Sequence, residues 1–256
     1  MAHRILILGG TSEARALTDI LAGRGGLDII LSLAGRTKNP LPYATQMRIG
    51  GFGGAQGLAT FLREQRIDAL VDATHPYATQ ISMNAIAAAD AAGVMRVRLQ
   101  RPEWRAIEGD TWLDVGSVAE AAASIGAKPR VVFVALGRQE LAPLIAAPQH
   151  RYIIRSVDPV TPPLNVPDAR YILARGPFRQ SAEYEMLAEH NVDCMIAKNS
   201  GGDATYGKIA AARALQIPVL LIRRAPLFDA FSVDDVDRAV ALIDHGLSNP
   251  LRDRGE

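Results

Sequence analysis

Short runs rich in isoleucine, leucine and valine alternate with helix-patterned segments along nearly the whole chain. This alternation limits the fold more than any other feature. Strand-like runs fall at residues 4–8, 28–33, 47–49, 69–72 and 95–99, then at 112–115, 131–135, 152–155, 171–174, 194–197 and 219–222. Between them, apolar positions at helical spacing predict helices over 13–22, 57–65, 78–92, 119–124, 181–190, 208–215 and 233–245. Ser117 with Glu120 three residues on reads as a capping box, and Ser232 with Asp235 as a weaker relative of it. Strands apolar on both faces and separated by helices call for parallel sheets with helical crossovers. So many strands exceed one small sheet. The segment Gln100-Arg101-Pro102-Glu103-Trp104 interrupts the alternation, so the chain is divided there into two continuous α/β domains, 1–103 and 104–256, with a cleft between them. The Pro-rich stretch 158–167 is the only long irregular segment and is expected on the surface or over that cleft.

At 256 residues the chain can bury two modest cores. Its 28 Lys and Arg against 27 Asp and Glu leave a net charge of +1, so no global field draws nucleic acid or an anionic membrane, and anionic ligands must be met locally. The single cysteine, Cys194, excludes a disulfide framework and fits a reducing compartment. The amino terminus lacks the order of a signal peptide, and no apolar stretch approaches the ~20 residues of a membrane span. The expectation is a cytoplasmic protein. His3, His75, His150, His190 and His245 have no ligand spacing, so no metal is expected. Nucleophile-elbow and Walker A sequences are missing too.

The first strand opens at once through Gly9-Gly10-Thr11-Ser12-Glu13 into a helix, where backbone N–H groups and a positive helix end can meet a phosphate. The full G-x-G-x-x-G pattern is absent, and a plain capped turn fits the motif equally well. The second strand of a NAD-binding unit usually ends in a carboxylate that grips the ribose diol. Here it ends Ser32-Leu33-Ala34-Gly35-Arg36-Thr37; an arginine among hydroxyls suits a 2′-phosphate, which points to NADPH. Gly50-Gly51-Phe52-Gly53-Gly54 allows close backbone approach to a ligand, and Asp72-Ala73-Thr74-His75-Pro76-Tyr77 gathers polar groups before a helix. In the second half, Lys198-Asn199-Ser200-Gly201-Gly202-Asp203-Ala204-Thr205 combines a cation with a flexible glycine pair, and Arg138, Arg155 and Arg175 follow strands where carboxylates could be received.

Taken together, Ile7 to Ala14, Ser32 to Thr37, Asp72 to Ala78, Arg175-Gly176-Pro177-Phe178 and Lys198 to Gly202 resemble the precorrin-6A reductase family of cobalamin biosynthesis. The resemblance implies two Rossmann-like domains with mainly parallel sheets, and cofactor and tetrapyrrole meeting in the cleft. It implies hydride transfer from NADPH to C19 of the macrocycle and a proton to C18, giving precorrin-6B, with hand-over to neighbouring corrin-pathway enzymes. The cofactor would be held by Gly9, Gly10, Thr11, Ser12, Glu13, Ser32, Ala34, Gly35, Arg36, Thr37, Gly51, Gly53, Thr74 and His75. The macrocycle would meet Tyr77, Arg138, Arg155, Arg175, Lys198, Ser200, Gly201, Gly202 and Thr205, with the loop after Lys198 closing over it. Lys198, His75, Tyr77 and Asp203 are the titratable candidates for the proton step, with solvent an equal rival. Two other readings fit the same residues: another NADPH-dependent reductase of an anionic small molecule, or a non-redox two-domain tetrapyrrole-binding protein.

Overall fold

A computed structural model describes residues 2–35, 42–226 and 232–248. The chain forms two units, one of residues up to Pro102 together with those from Ala225 onward, the other Glu103–Arg224.

In the first unit, β1 (His3–Leu8), α1 (Ser12–Ala22), β2 (Leu27–Leu33), β3 (Gln46–Ile49), α2 (Gly54–Glu64), β4 (Ala69–Asp72), α3 (Thr79–Ala92) and β5 (Met95–Leu99) follow one another. The order across the sheet, from β3, is β3-β2-β1-β4-β5, every pair parallel. Side chains alternate between the two faces of a strand. Ile5, Ile7, Ile29, Leu31 and Val71 therefore point to the α1 side, whereas Leu6, Leu8, Ile30 and Leu70 pack with Leu58, Leu62 and Ala85 of α2 and α3.

The second unit contains β6 (Trp112–Val115), α4 (Val118–Ser124), β7 (Val131–Ala135), β8 (Arg151–Ser156), β9 (Ala169–Leu173), α5 (Gln180–Glu189), β10 (Cys194–Lys198), α6 (Gly207–Ala214) and β11 (Val219–Ile222). Two short 3-10 turns, Arg138–Glu140 and Ala142–Ala146, replace a helix after β7. Its all-parallel sheet runs β9-β8-β7-β10-β11-β6. Phe133, Ile153, Met195 and Leu221 meet Leu187 of α5 and Ile209 of α6. Leu164, inside the Pro-rich stretch, is buried, and its N–H donates to the Tyr171 hydroxyl at 2.7 Å.

The last described segment departs from the two-continuous-domain expectation. β12 (Ser232–Val233) pairs with β5 through Ser232↔Arg98 and Val233↔Leu99, and α7 (Val236–Ser248) buries Ala239 and Ile243 in the α1-side core of the first unit. Ser232 is thus a strand residue; the helix start is capped by Asp235, whose Oδ1 accepts from Arg238 N–H at 2.8 Å. With β12 in place the first sheet has the 3-2-1-4-5-6 order of a doubly wound fold. The second sheet has the same order, its sixth place filled by β6, which precedes β7 in the chain. The first unit's sixth strand is therefore drawn from the chain beyond Arg224, whereas β6 lies within Glu103–Arg224 together with the strands it completes.

Candidate functional site

In a doubly wound sheet a ligand sits beyond the carboxyl ends of the strands where the order reverses, here between β1 and β4. The loops after these two strands are tied together. Thr11, the N-cap of α1, accepts from Ala14 N–H at 3.0 Å, and its hydroxyl donates to the Ala73 carbonyl at 2.9 Å. Gly9 packs so closely that a Cβ would lie 2.7 Å from Leu31 Cδ1, whereas a Cβ on Gly10, at φ 122°, would meet no protein atom within 4 Å. Ser12 donates to Glu13 at 3.0 Å. Glu13 itself pairs with Arg101 at 2.6 Å, so its carboxylate belongs to a partly buried ion pair at the helix start.

Beside this junction lies a pocket of about 140 Å³, smaller than the range for a whole drug-sized ligand, so it suits one part of an extended molecule. Gly9, Ser32, Ala34, Gly51, Gly53 and Thr74 line it, and Leu8, Phe52, Leu58 and Ile81 give it apolar walls. The structure thus brings together the loops after β1, β2, β3 and β4 that the sequence singled out. Gly35 adjoins Ile49 of β3; Arg36 and Thr37 lie outside the described residues.

Two devices shape the pocket rim. Arg48 of β3 donates to the carbonyls of Gly50 and Gly51, each at 2.6 Å, and stacks 3.8 Å from the Phe52 ring centroid. It holds the glycine loop by its carbonyl side. Gly53 then starts α2 in the left-handed region with no side-chain cap, leaving the first N–H groups of that helix unsatisfied by a cap. A Cβ on Gly50, Gly51, Gly53 or Gly54 would meet nothing within 4 Å, so a cradle of backbone stands open on this side. The second device is buried Asp72, which accepts from Thr74 N–H at 3.1 Å and the Thr74 hydroxyl at 2.6 Å, with Arg98 Nε 3.9 Å away. Beyond Thr74, His75 Nδ1 accepts from Tyr77 N–H at 3.4 Å, which leaves Nε2 as the protonated nitrogen of the neutral ring.

The second unit treats its proposed substrate residues less evenly. Arg155 is a correction: its guanidinium is 8% exposed, pairs with buried Glu183 on α5 and lies 3.7 Å from the Phe178 ring centroid, so it is an interior ion pair and no carboxylate anchor. Lys198 ends β10 and pairs with Glu140 in the 3-10 turn after β7, across the switch point of this sheet. The following loop is also fixed more firmly than a lid. Asn199 accepts from Trp104 N–H at 2.8 Å and donates to the Trp104 carbonyl at 3.0 Å, and Trp104 Nε1 donates to the Gly202 carbonyl at 2.9 Å. Ser200 N–H donates to the Lys198 carbonyl at 2.7 Å, Gly201 is buried, and the Thr205 carbonyl accepts from Lys208 Nζ at 2.7 Å. Arg175 and Asp203 are exposed, and Arg138 is half-buried in its turn.

Arg48, Arg98 and Glu140 were not singled out in the sequence, and Asp72 only as one member of a polar cluster. Charges inside otherwise apolar strands are the signal that could have found Arg48 and Arg98.

The fold and pocket together define a Rossmann-like α/β protein with a glycine-lined pocket at a sheet switch point. A family model described as precorrin-6x reductase CbiJ/CobK matches residues 4–244. A precorrin-6A reductase of Sinorhizobium sp is 53% identical over 245 residues, covering 96% of this chain and 94% of that protein. A cobalt-precorrin-6A reductase of Salmonella typhimurium is 30% identical over 235 residues, 86% of this chain and 87% of that one. The solved structure of CobK precorrin-6A reductase superposes with a TM-score of 0.91 at 41% identity, over 95% of this chain and 97% of that one. The chain belongs to the precorrin-6x reductase family and is an oxidoreductase of cobalamin biosynthesis. Among the described residues no helix is long and apolar enough to cross a membrane.

Proposed function

We propose that this oxidoreductase reduces precorrin-6A to precorrin-6B with NADPH. The observation that carries the cofactor reading is Gly51: it has no positive φ and no protein neighbour that would exclude a side chain, yet it lines the pocket beside glycines that do need their φ. A glycine with no internal reason fits a backbone that a ligand approaches closely. Gly9 to Ser12, Gly51 and Gly53 would hold the phosphates, Ser32, Ala34 and Gly35 the ribose, and Arg36 with Thr37 the 2′-phosphate. Thr74 and His75 would bound the pocket on the β4 side, and Glu13 would act through Arg101. NADPH supplies the hydride for C19. The chain's own part is to orient the cofactor, exclude water and hold the macrocycle's carboxylates through Arg138, Arg175 and Lys198. His75, Tyr77, Lys198 and Asp203 are the candidate proton sources for C18, with solvent an equal rival.

The metal-free macrocycle is favoured by the relatives: those named precorrin-6A reductase are 39–53% identical to this chain, those named for the cobalt form 27–30%. A cytoplasmic enzyme that hands its product to neighbouring corrin-pathway enzymes fits this reading. The test is binding. Arg36→Ala should weaken NADPH by about 1.5–3 kcal/mol, the scale of a lost hydrogen bond to a charged group, and leave NADH nearly unchanged. Equal loss for both cofactors would remove Arg36 as selector, and wild-type protein that binds neither would overturn the cofactor reading.

A further inference from the structure

We propose that Asp72, although closed off from the pocket, sets the hydrogen-bonding polarity of Thr74 so that the pocket receives the exocyclic N–H2 of a cofactor ring. The inference rests on the reading that the pocket takes part of a pyridine dinucleotide. A carboxylate has only acceptors, so the 2.6 Å contact from Thr74 Oγ1 to Asp72 Oδ1 must carry the hydroxyl proton of Thr74. The Thr74 backbone N–H, at 3.1 Å, holds the same oxygen. Asp72 is 3% exposed and pairs across the β4–β5 register with Arg98, whose charge offsets the burial of the carboxylate. The hydroxyl therefore cannot turn its proton toward the pocket that Thr74 lines, and its remaining lone pair can only accept from a ligand there.

The surrounding walls say what kind of donor. Leu8, Phe52, Leu58 and Ile81 are apolar and the volume is about 140 Å³, which suits the face of one flat ring. Both rings of NADPH carry an exocyclic N–H2, the nicotinamide carboxamide and the adenine 6-amine, and either would present its donor to Thr74 from within such walls. Asp72 is thus a positioning residue: it acts through Thr74.

The experiment compares NADPH with two analogues by calorimetry on the full-length protein. One replaces the carboxamide by a methyl ketone (the 3-acetylpyridine analogue); the other replaces the 6-amine by an oxo group (the hypoxanthine analogue). Wild type should bind one analogue about 3- to 10-fold less tightly than NADPH, and which one identifies the ring. Thr74→Val should abolish that preference, Asp72→Leu, which removes the acceptor, should reduce it, and Thr74→Ser should keep it, while the double variant should lose no more than Thr74→Val alone. A change in stability alone would lower all three affinities together and leave the ratio intact. The proposal is overturned if wild type favours NADPH over neither analogue, if Thr74→Val retains the preference, or if Asp72→Leu leaves it undiminished. Should Asp72→Leu fail to fold, the contrast of Thr74→Val with Thr74→Ser decides. Absence of NADPH binding by wild type would instead overturn the underlying cofactor reading, and the proposal with it.

Discussion

Glycine serves two unlike purposes within the first unit. At Gly9 a side chain would press on Leu31, and at Gly57 it would run into the Phe52 carbonyl, so these positions are small because the protein is packed there. At Gly51 nothing in the chain demands a glycine. The two kinds separate by measurement. Gly57→Ala should destabilise the fold strongly, because the opposing atom is backbone and cannot swing away. Gly51→Val should leave the thermal midpoint nearly unchanged, as exposed substitutions usually do within about 0.5 kcal/mol, while weakening NADPH at least about tenfold. Normal cofactor affinity in a folded Gly51→Val protein would remove that loop from the site.

Elements differ in how plainly the sequence announces them. Val219–Ile222 and Ala69–Asp72 are buried along their whole length, and their apolar runs, broken only by the terminal Asp72, mark them as interior parallel strands. β12 has two residues and no such run; only its pairing with β5 reveals it, and with it the return of α7 to the first unit. The loops of the cradle were legible because glycine and polar residues cluster at strand ends. The direction of a side chain was not. Arg155 follows the same strand-end rule as a ligand-binding arginine, but α5 offers it Glu183, and a single letter does not record which way a guanidinium turns. Arg48 is hidden for a related reason, since its partners are main-chain carbonyls two and three residues on.

The second sheet also carries a prediction at this scale. At the amino-terminal end of its strands, burial lowers the pKa of His150, pushes Cys194 up to about 11 and Tyr152 up to about 12. The unfolded chain takes up a proton at His150 more readily than the folded one, so stability is held above pH 6.5 and lost as pH falls below it. For Cys194 and Tyr152 the folded state holds the proton more tightly; stability is intact below about pH 9 and is lost as pH rises toward 11–12. Urea midpoints across pH should therefore fall at both ends, and His150→Gln should flatten the acid limb alone. An unaltered acid slope in that variant would assign the loss to other groups.

At the scale of the whole molecule, the first unit is completed by a strand and a helix that the chain supplies only after the whole of the second unit. A chain stopped after Arg224 loses β12 and α7, which removes Ala239 and Ile243 from the first core and bares the edge of β5. Hydrogen exchange on that truncated chain should show β1, β2 and β5 amides losing protection while β7, β8 and β10 retain theirs. Equal protection in both would mean that the tail contributes little. The arrangement also dictates an order of birth. A ribosome adds about 5–20 residues per second, so on the order of ten seconds passes between the emergence of β5 and of its partner β12, while all of Glu103–Arg224 is made. The half that is synthesised first is the half that is finished last. Throughout that interval the open flank of β5 can pair with another nascent chain, and slower translation of the second half lengthens the exposure.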